Sequence, residues 1–95
     1  MIDNNLSQEE LNNLLISLSN STQNNVPYIE EVLQKGANIE FQNEEGNTAL
    51  CFACIKGNLT IVNFLINKGA NINHRNKTGK TPLMLTIIHK PKNTN

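Results

Sequence analysis

No apolar run in this chain approaches the ~18 residues that a membrane span needs. The first ten residues hold neither a basic start nor an apolar core. The expectation is therefore an intracellular, cytoplasmic protein with reduced thiols and no membrane partner. Charge of one sign is missing too, since eight Lys and Arg balance eight Asp and Glu. A neutral sum argues against a general affinity for nucleic acid. Ninety-five residues allow one domain at most.

The usual chemical signatures are scarce as well. There is no Gly-x-Gly-x-x-Gly, and Gly79-Lys80-Thr81 lacks the glycine that a phosphate loop requires five residues earlier, where His74 stands. No Ser or Cys has a partnered base. Cys51-Phe52-Ala53-Cys54 is a Cys-x-x-Cys, yet a zinc site needs two further ligands. Only His74 and His89 are on offer, in separate elements. A redox pair normally opens a helix after a strand, and no βαβ unit is present. Buried structural thiols are the preferred reading, with a redox or metal protein as the alternative. No enzyme and no cofactor is expected.

What the chain does contain is a repeat of 33 residues. Gly36-Ala37-Asn38-Ile39 returns as Gly69-Ala70-Asn71-Ile72, and Asn43, Gly46, Thr48 and Leu50 return as Asn76, Gly79, Thr81 and Leu83. Between 36–54 and 69–87, eight of nineteen positions are identical without a gap. A fixed step of this size marks a stacked solenoid, whose units bury their apolar faces only against neighbours. Such an architecture favours a binding surface over a catalytic cleft.

Local signals set the phase. Ser7-Gln8-Glu9-Glu10 is a capping box. Leu11, Leu14, Leu15 and Leu18 then form one stripe on a helix over roughly 8–19. The polar stretch 20–25 ends it. Pro27 suits the first position of a second helix, with Ile29, Val32 and Leu33 inward and Gly36 as the left-handed stop. One period on, Ile61, Val62, Leu65 and Ile66 repeat that face and Gly69 repeats the stop. Thr48 to about Lys56 makes a short helix ended by Gly57. Segments 39–47 and 72–80 are extended and polar, with Gly46 and Gly79 at turn positions, and each reads as a hairpin-like finger.

Residues 43–50 and 69–73, together with Gly79-Lys80-Thr81-Pro82-Leu83, resemble the ankyrin repeat. The resemblance covers roughly residues 26–90. It implies an all-α ankyrin-repeat solenoid of helix-turn-helix units with hairpin-like finger loops, about two and a half repeats long. The expected division is a disordered N-terminus over 1–6, an N-terminal capping-like repeat over 7–42, a complete repeat over 43–75 and a partial one over 76–95. That last unit holds only a finger and a first helix, as in a truncated array. Departures from the family pattern are Ala49 in place of Pro, and Cys51 and Met84 in place of His. The Thr-to-imidazole hydrogen bond is thereby lost and looser helix starts are expected.

The resemblance also implies a function. Ankyrin arrays bind proteins through the finger tips and the exposed side of each first helix. Carried over, the middle repeat contributes Gln42, Glu44, Glu45, Asn47, Ile55 and Lys56. The next contributes Arg75, Lys77, Thr78, Lys80, Ile88 and His89. The expectation is a monomeric, non-catalytic interaction module with an unidentified protein partner. Its alternative is a remnant of a longer array without independent function. Asn-rich coding fits an intracellular bacterium, a large DNA virus or a protist; in the first two, delivery into a host cell and a host protein partner would follow. By the same resemblance Asn73 matches a position open to asparaginyl hydroxylation, whereas Glu40 does not.

Overall fold

The computed structural model describes residues 5–89. Its elements are α1 (Gln8–Ser19), α2 (Val26–Gln34), α3 (Ala49–Lys56), α4 (Leu59–Asn67) and α5 (Pro82–Ile88). No strand occurs among the described residues. First helices α1, α3 and α5 form one row, because α3 packs on both α1 and α5. Second helices α2 and α4 form the other row, each on its own first helix and against one another. This is the expected all-α stack. The division into repeats bears on residues 1–4 and 90–95 as well, which lie outside the described part.

Each helix starts where its chemistry says it should. Ser7 Oγ accepts from the Glu10 amide at 3.1 Å, and Glu10 Oε1 accepts from the Ser7 amide at 2.8 Å. Leu6, one residue before that cap, packs against the core in the position of a hydrophobic staple. Helix α2 begins at Val26, so Pro27 sits one place further in than its fixed φ suggested, still within the turn whose amides lack helical partners. The stops of α2 and α4 are the same device: the Ala37 amide reaches Val32 O at 2.9 Å and the Ala70 amide reaches Leu65 O at 3.0 Å. The glycine between lies at positive φ in both.

Helix α3 is apolar nearly all round, with Ala49, Leu50, Cys51, Ala53 and Cys54 buried, because it has neighbours on three sides. It is the centre of a core that also holds Leu11, Leu15, Ile29, Val32, Ile61 and Leu65. The lost imidazole at position 51 has a substitute. Thr48 Oγ1 accepts from the Cys51 amide and donates to Cys51 Sγ, both at 3.4 Å. The amide contact is longer than the 3.1 Å Ser7 cap, and 3.4 Å is an ordinary separation for a hydroxyl donating to the larger sulfur.

Candidate functional site

The fingers are built by two asparagines one period apart. Asn43 Oδ1 accepts from the Glu45 and Asn47 amides, and the Asn43 amide reaches Asn47 O. Asn76 Oδ1 accepts from the Thr78 and Lys80 amides, and its own amide reaches Lys80 O. Each side chain thus folds its tip into a closed turn without a β-ladder.

The two tips are then stapled together. The Lys77 amide donates to Glu45 O at 3.0 Å. Asn76 Nδ2 donates to Asn47 Oδ1 at 2.9 Å, and His74 Nε2 donates to Gly46 O at 2.7 Å. At the finger bases, the Asn71 amide donates to Glu40 Oε2 at 2.8 Å. A ladder of this kind fixes the spacing of the tips before any partner arrives.

The expected surface residues separate by position. Glu45, Asn47, Ile55, Thr78, Lys80, Ile88 and His89 converge on one hollow of about 340 Å³. Phe52, Asn76 and Leu85 complete its wall and are absent from the expected set. Phe52 is the apolar floor, and its spacing of three from Ile55 on α3 could have revealed it. Gln42 and Glu44 face a second hollow with Glu9 and Asn13. Lys56 stands at the α3–α5 end beside His89 and Ile87. Arg75 and Lys77 are exposed on the tip, and the Arg75 guanidinium donates to Gly79 O at 2.8 Å. Asn47 is different in kind: it is buried and its amide oxygen is taken by Asn76, so it holds the fingers rather than facing outward. Asn73 is exposed beside its finger base.

Charge is more segregated than its neutral sum suggests. All eight acidic residues lie at or before Glu45, and every Lys and Arg except Lys35 lies beyond it. The fingers straddle this divide: Glu45 stands against the basic tip of the next repeat, and Glu44 lies beside it on the outer side. Among the described residues no ion pair joins the two tips, which leaves these charges turned to solvent. A partner would therefore meet a negative rim and a positive rim on either side of an apolar floor.

Cys51 and Cys54 are free thiols, both buried. Burial pushes the Cys54 thiol above its ordinary range, against a hydrogen bond with Thr86, and Cys51 nearby adds to the rise. A thiol held protonated is a poor nucleophile. Native-state labelling with a disulfide reagent at neutral pH is expected to be slower than in urea by about two orders of magnitude. The same shift sets a pH dependence. Because the folded state holds this proton more tightly, the stability it contributes is complete below the usual thiol range of about pH 8.5 and falls as pH rises further. A urea midpoint that declines above that pH, and declines less in Cys54→Ala, would confirm it. Among the described residues, no group of three or more His, Cys, Asp or Glu is placed to hold a metal ion. No described helix is long and apolar enough to cross a membrane.

A sequence-family model described as ankyrin repeats, in three copies, matches residues 14–94. No curated protein matches the chain.

Proposed function

The chain belongs to the ankyrin-repeat family, and on that premise we propose that it is a non-catalytic module that binds a protein partner through its finger and inner-helix face. Ankyrin repeats are generally protein–protein interaction modules. The observation that carries the reading is the hollow floored by Phe52, Ile55 and Leu85, with Glu45 on one rim and Lys80 and His89 on the other. Its rims are held by hydrogen bonds between neighbouring fingers. A face already in place loses little ordering entropy on docking, so more of the contact energy becomes affinity.

The rim charges are solvated and should act chiefly on encounter rate. A complementary partner carries an apolar anchor flanked by a basic and an acidic group. Affinity capture with the chain, repeated with Glu44→Lys/Glu45→Lys and with Lys77→Glu/Lys80→Glu, tests this. A partner captured by the parent should be lost from both charge-reversed forms at low salt, an on-rate drop of about tenfold or more. Equal capture by all three forms would remove the finger face from the interaction.

A further inference from the structure

The hollow between the fingers holds one group that the finger network leaves unused. Asn76 Oδ1 accepts from the Thr78 and Lys80 amides and from the Thr78 hydroxyl, so this carboxamide cannot be turned over. Its nitrogen must therefore donate to its neighbour, and Asn47 must answer with its oxygen. That fixes the Asn47 carboxamide as well. Its Nδ2 carries two N–H donors that meet no acceptor among the described residues. Asn47 as a whole is only 6% exposed, yet this nitrogen is not sealed from solvent as Ser19 Oγ is. The residue lines the finger hollow, and its free donors open there. In a crevice so poorly hydrated, an acceptor brought by a partner gains more than it would on an open surface.

The surroundings of that donor define what it can meet. Asn47 directly precedes Thr48, the N-cap of α3, and Phe52 follows about one helical turn further on. Side chains on a helix lean toward its N-terminus, which brings the Phe52 ring toward Asn47. Donor and apolar floor thus lie within the reach of one residue, its main-chain carbonyl on the first and its side chain on the second. A helix laid into the hollow would offer no such acceptor, because its carbonyls are taken by its own amides. An extended segment leaves them free. Glu45 at one margin and Lys80 and His89 at the other set the order of charge along it. The hollow lies between two fingers and two first helices that are all present, so further units stacked on α5 would leave it open.

We infer that the finger hollow takes an extended segment of a partner protein, whose apolar anchor rests on Phe52 and Leu85 while the main-chain carbonyl beside that anchor accepts from Asn47 Nδ2. A basic residue of the segment lies toward Glu45 and an acidic one toward Lys80 and His89. This deepens the reading of the finger face and rests on it. Asn47 then has two roles, its oxygen holding the fingers and its nitrogen holding the ligand. Every residue has a carbonyl, so this bond fixes the conformation and register of the segment, and the apolar floor selects the side chain.

The probe is a displayed library of random dodecapeptides, selected on the full chain, from which the tightest peptide is synthesised. Ile88→Lys, at an exposed position of the hollow, should weaken that peptide at least about tenfold. Esters then replace its peptide bonds one at a time, each weakening one carbonyl as an acceptor. The ester beside the apolar anchor should weaken binding about fivefold. Asn47→Asp keeps an oxygen for Asn76 and removes the free donors, and it should weaken the unmodified peptide at least about fivefold. Against that variant the ester should have no further effect. A second readout uses the parent chain: the Asn47 side-chain amide signals in a heteronuclear NMR spectrum should shift further with the peptide than with its ester. If Ile88→Lys abolishes binding while the ester and the Asn47 signals show no response, the carbonyl contact is overturned and the finger-face reading stands. If no selected peptide is sensitive to Ile88→Lys, both fall. A peptide that binds this hollow as a helix overturns the extended segment.

Discussion

Asn58→Ala is expected to cost about 3 kcal/mol of folding stability, far more than its place in a loop would suggest. Its side chain makes three hydrogen bonds at once. Oδ1 accepts from the Ile61 amide and caps α4, while Nδ2 donates to Ser21 O and Gln23 O, each at 2.8 Å. Loss of an N-cap costs ~1 kcal/mol. Each of the two part-buried hydrogen bonds lost with the donor adds roughly another. Those carbonyls belong to the loop between α1 and α2, so this one residue ties adjacent repeats together. Asn25 stands one period earlier and supplies the control. Its Nδ2 donates only to Leu18 O, and it makes no side-chain cap for α2. Asn25→Ala should therefore cost about 1 kcal/mol. Asn58→Asp separates the two roles, because a carboxylate keeps the cap but cannot donate. Urea melts of the three variants check the order. For a domain of this size, 3 kcal/mol corresponds to a drop of about 12–24 °C in Tm. Equal effects at Asn25 and Asn58 would show that the cross-repeat bonds contribute nothing.

That contrast shows where sequence reading reaches its limit. Helix phase is legible because it depends on local signals: the Ser7–Glu10 box, the leucine stripe of α1, and Gly36 and Gly69 as stops. The fingers are legible for the same reason, as Asn43 and Asn76 fold their own turns. Asn58 carries the mark of a cap at most, since its other two partners lie 35 and 37 residues away. The family pattern puts Asn47 on the outer surface, and the structure buries it. Only the stacking of two fingers, with Asn76 reaching back to it, makes that burial tolerable for an amide. The segregation of charge is visible in the sequence itself. A net charge of zero conceals it, because a sum discards position. Leu83 and Ile87 show the converse case: their type and spacing mark a buried helix face, yet no described helix covers them.

The cross-finger staple makes a second large effect predictable, at Gly46. Its φ is +80°, in the left-handed region, and an added Cβ would lie 2.8 Å from the Lys77 backbone nitrogen. Backbone at that distance cannot swing aside as a flexible side chain would. Gly46→Ala must therefore strain its own φ and push the next finger away. The displaced contacts are Lys77 N–H to Glu45 O and His74 Nε2–H to Gly46 O. Strain at such a φ costs ~1–3 kcal/mol and each hydrogen bond ~1, giving a total of about 3 kcal/mol. Gly79 isolates the two causes. It has the same φ of +80° at the equivalent tip, but a Cβ added there would meet nothing within 4 Å. Gly79→Ala should thus show the φ cost alone, about 1 kcal/mol. Hydrogen exchange of the Lys77 amide gives a readout independent of global stability: protected in the parent and in Gly79→Ala, exposed in Gly46→Ala. If the finger face binds its partner as a preformed surface, Gly46→Ala should also weaken that binding although no contact residue has changed.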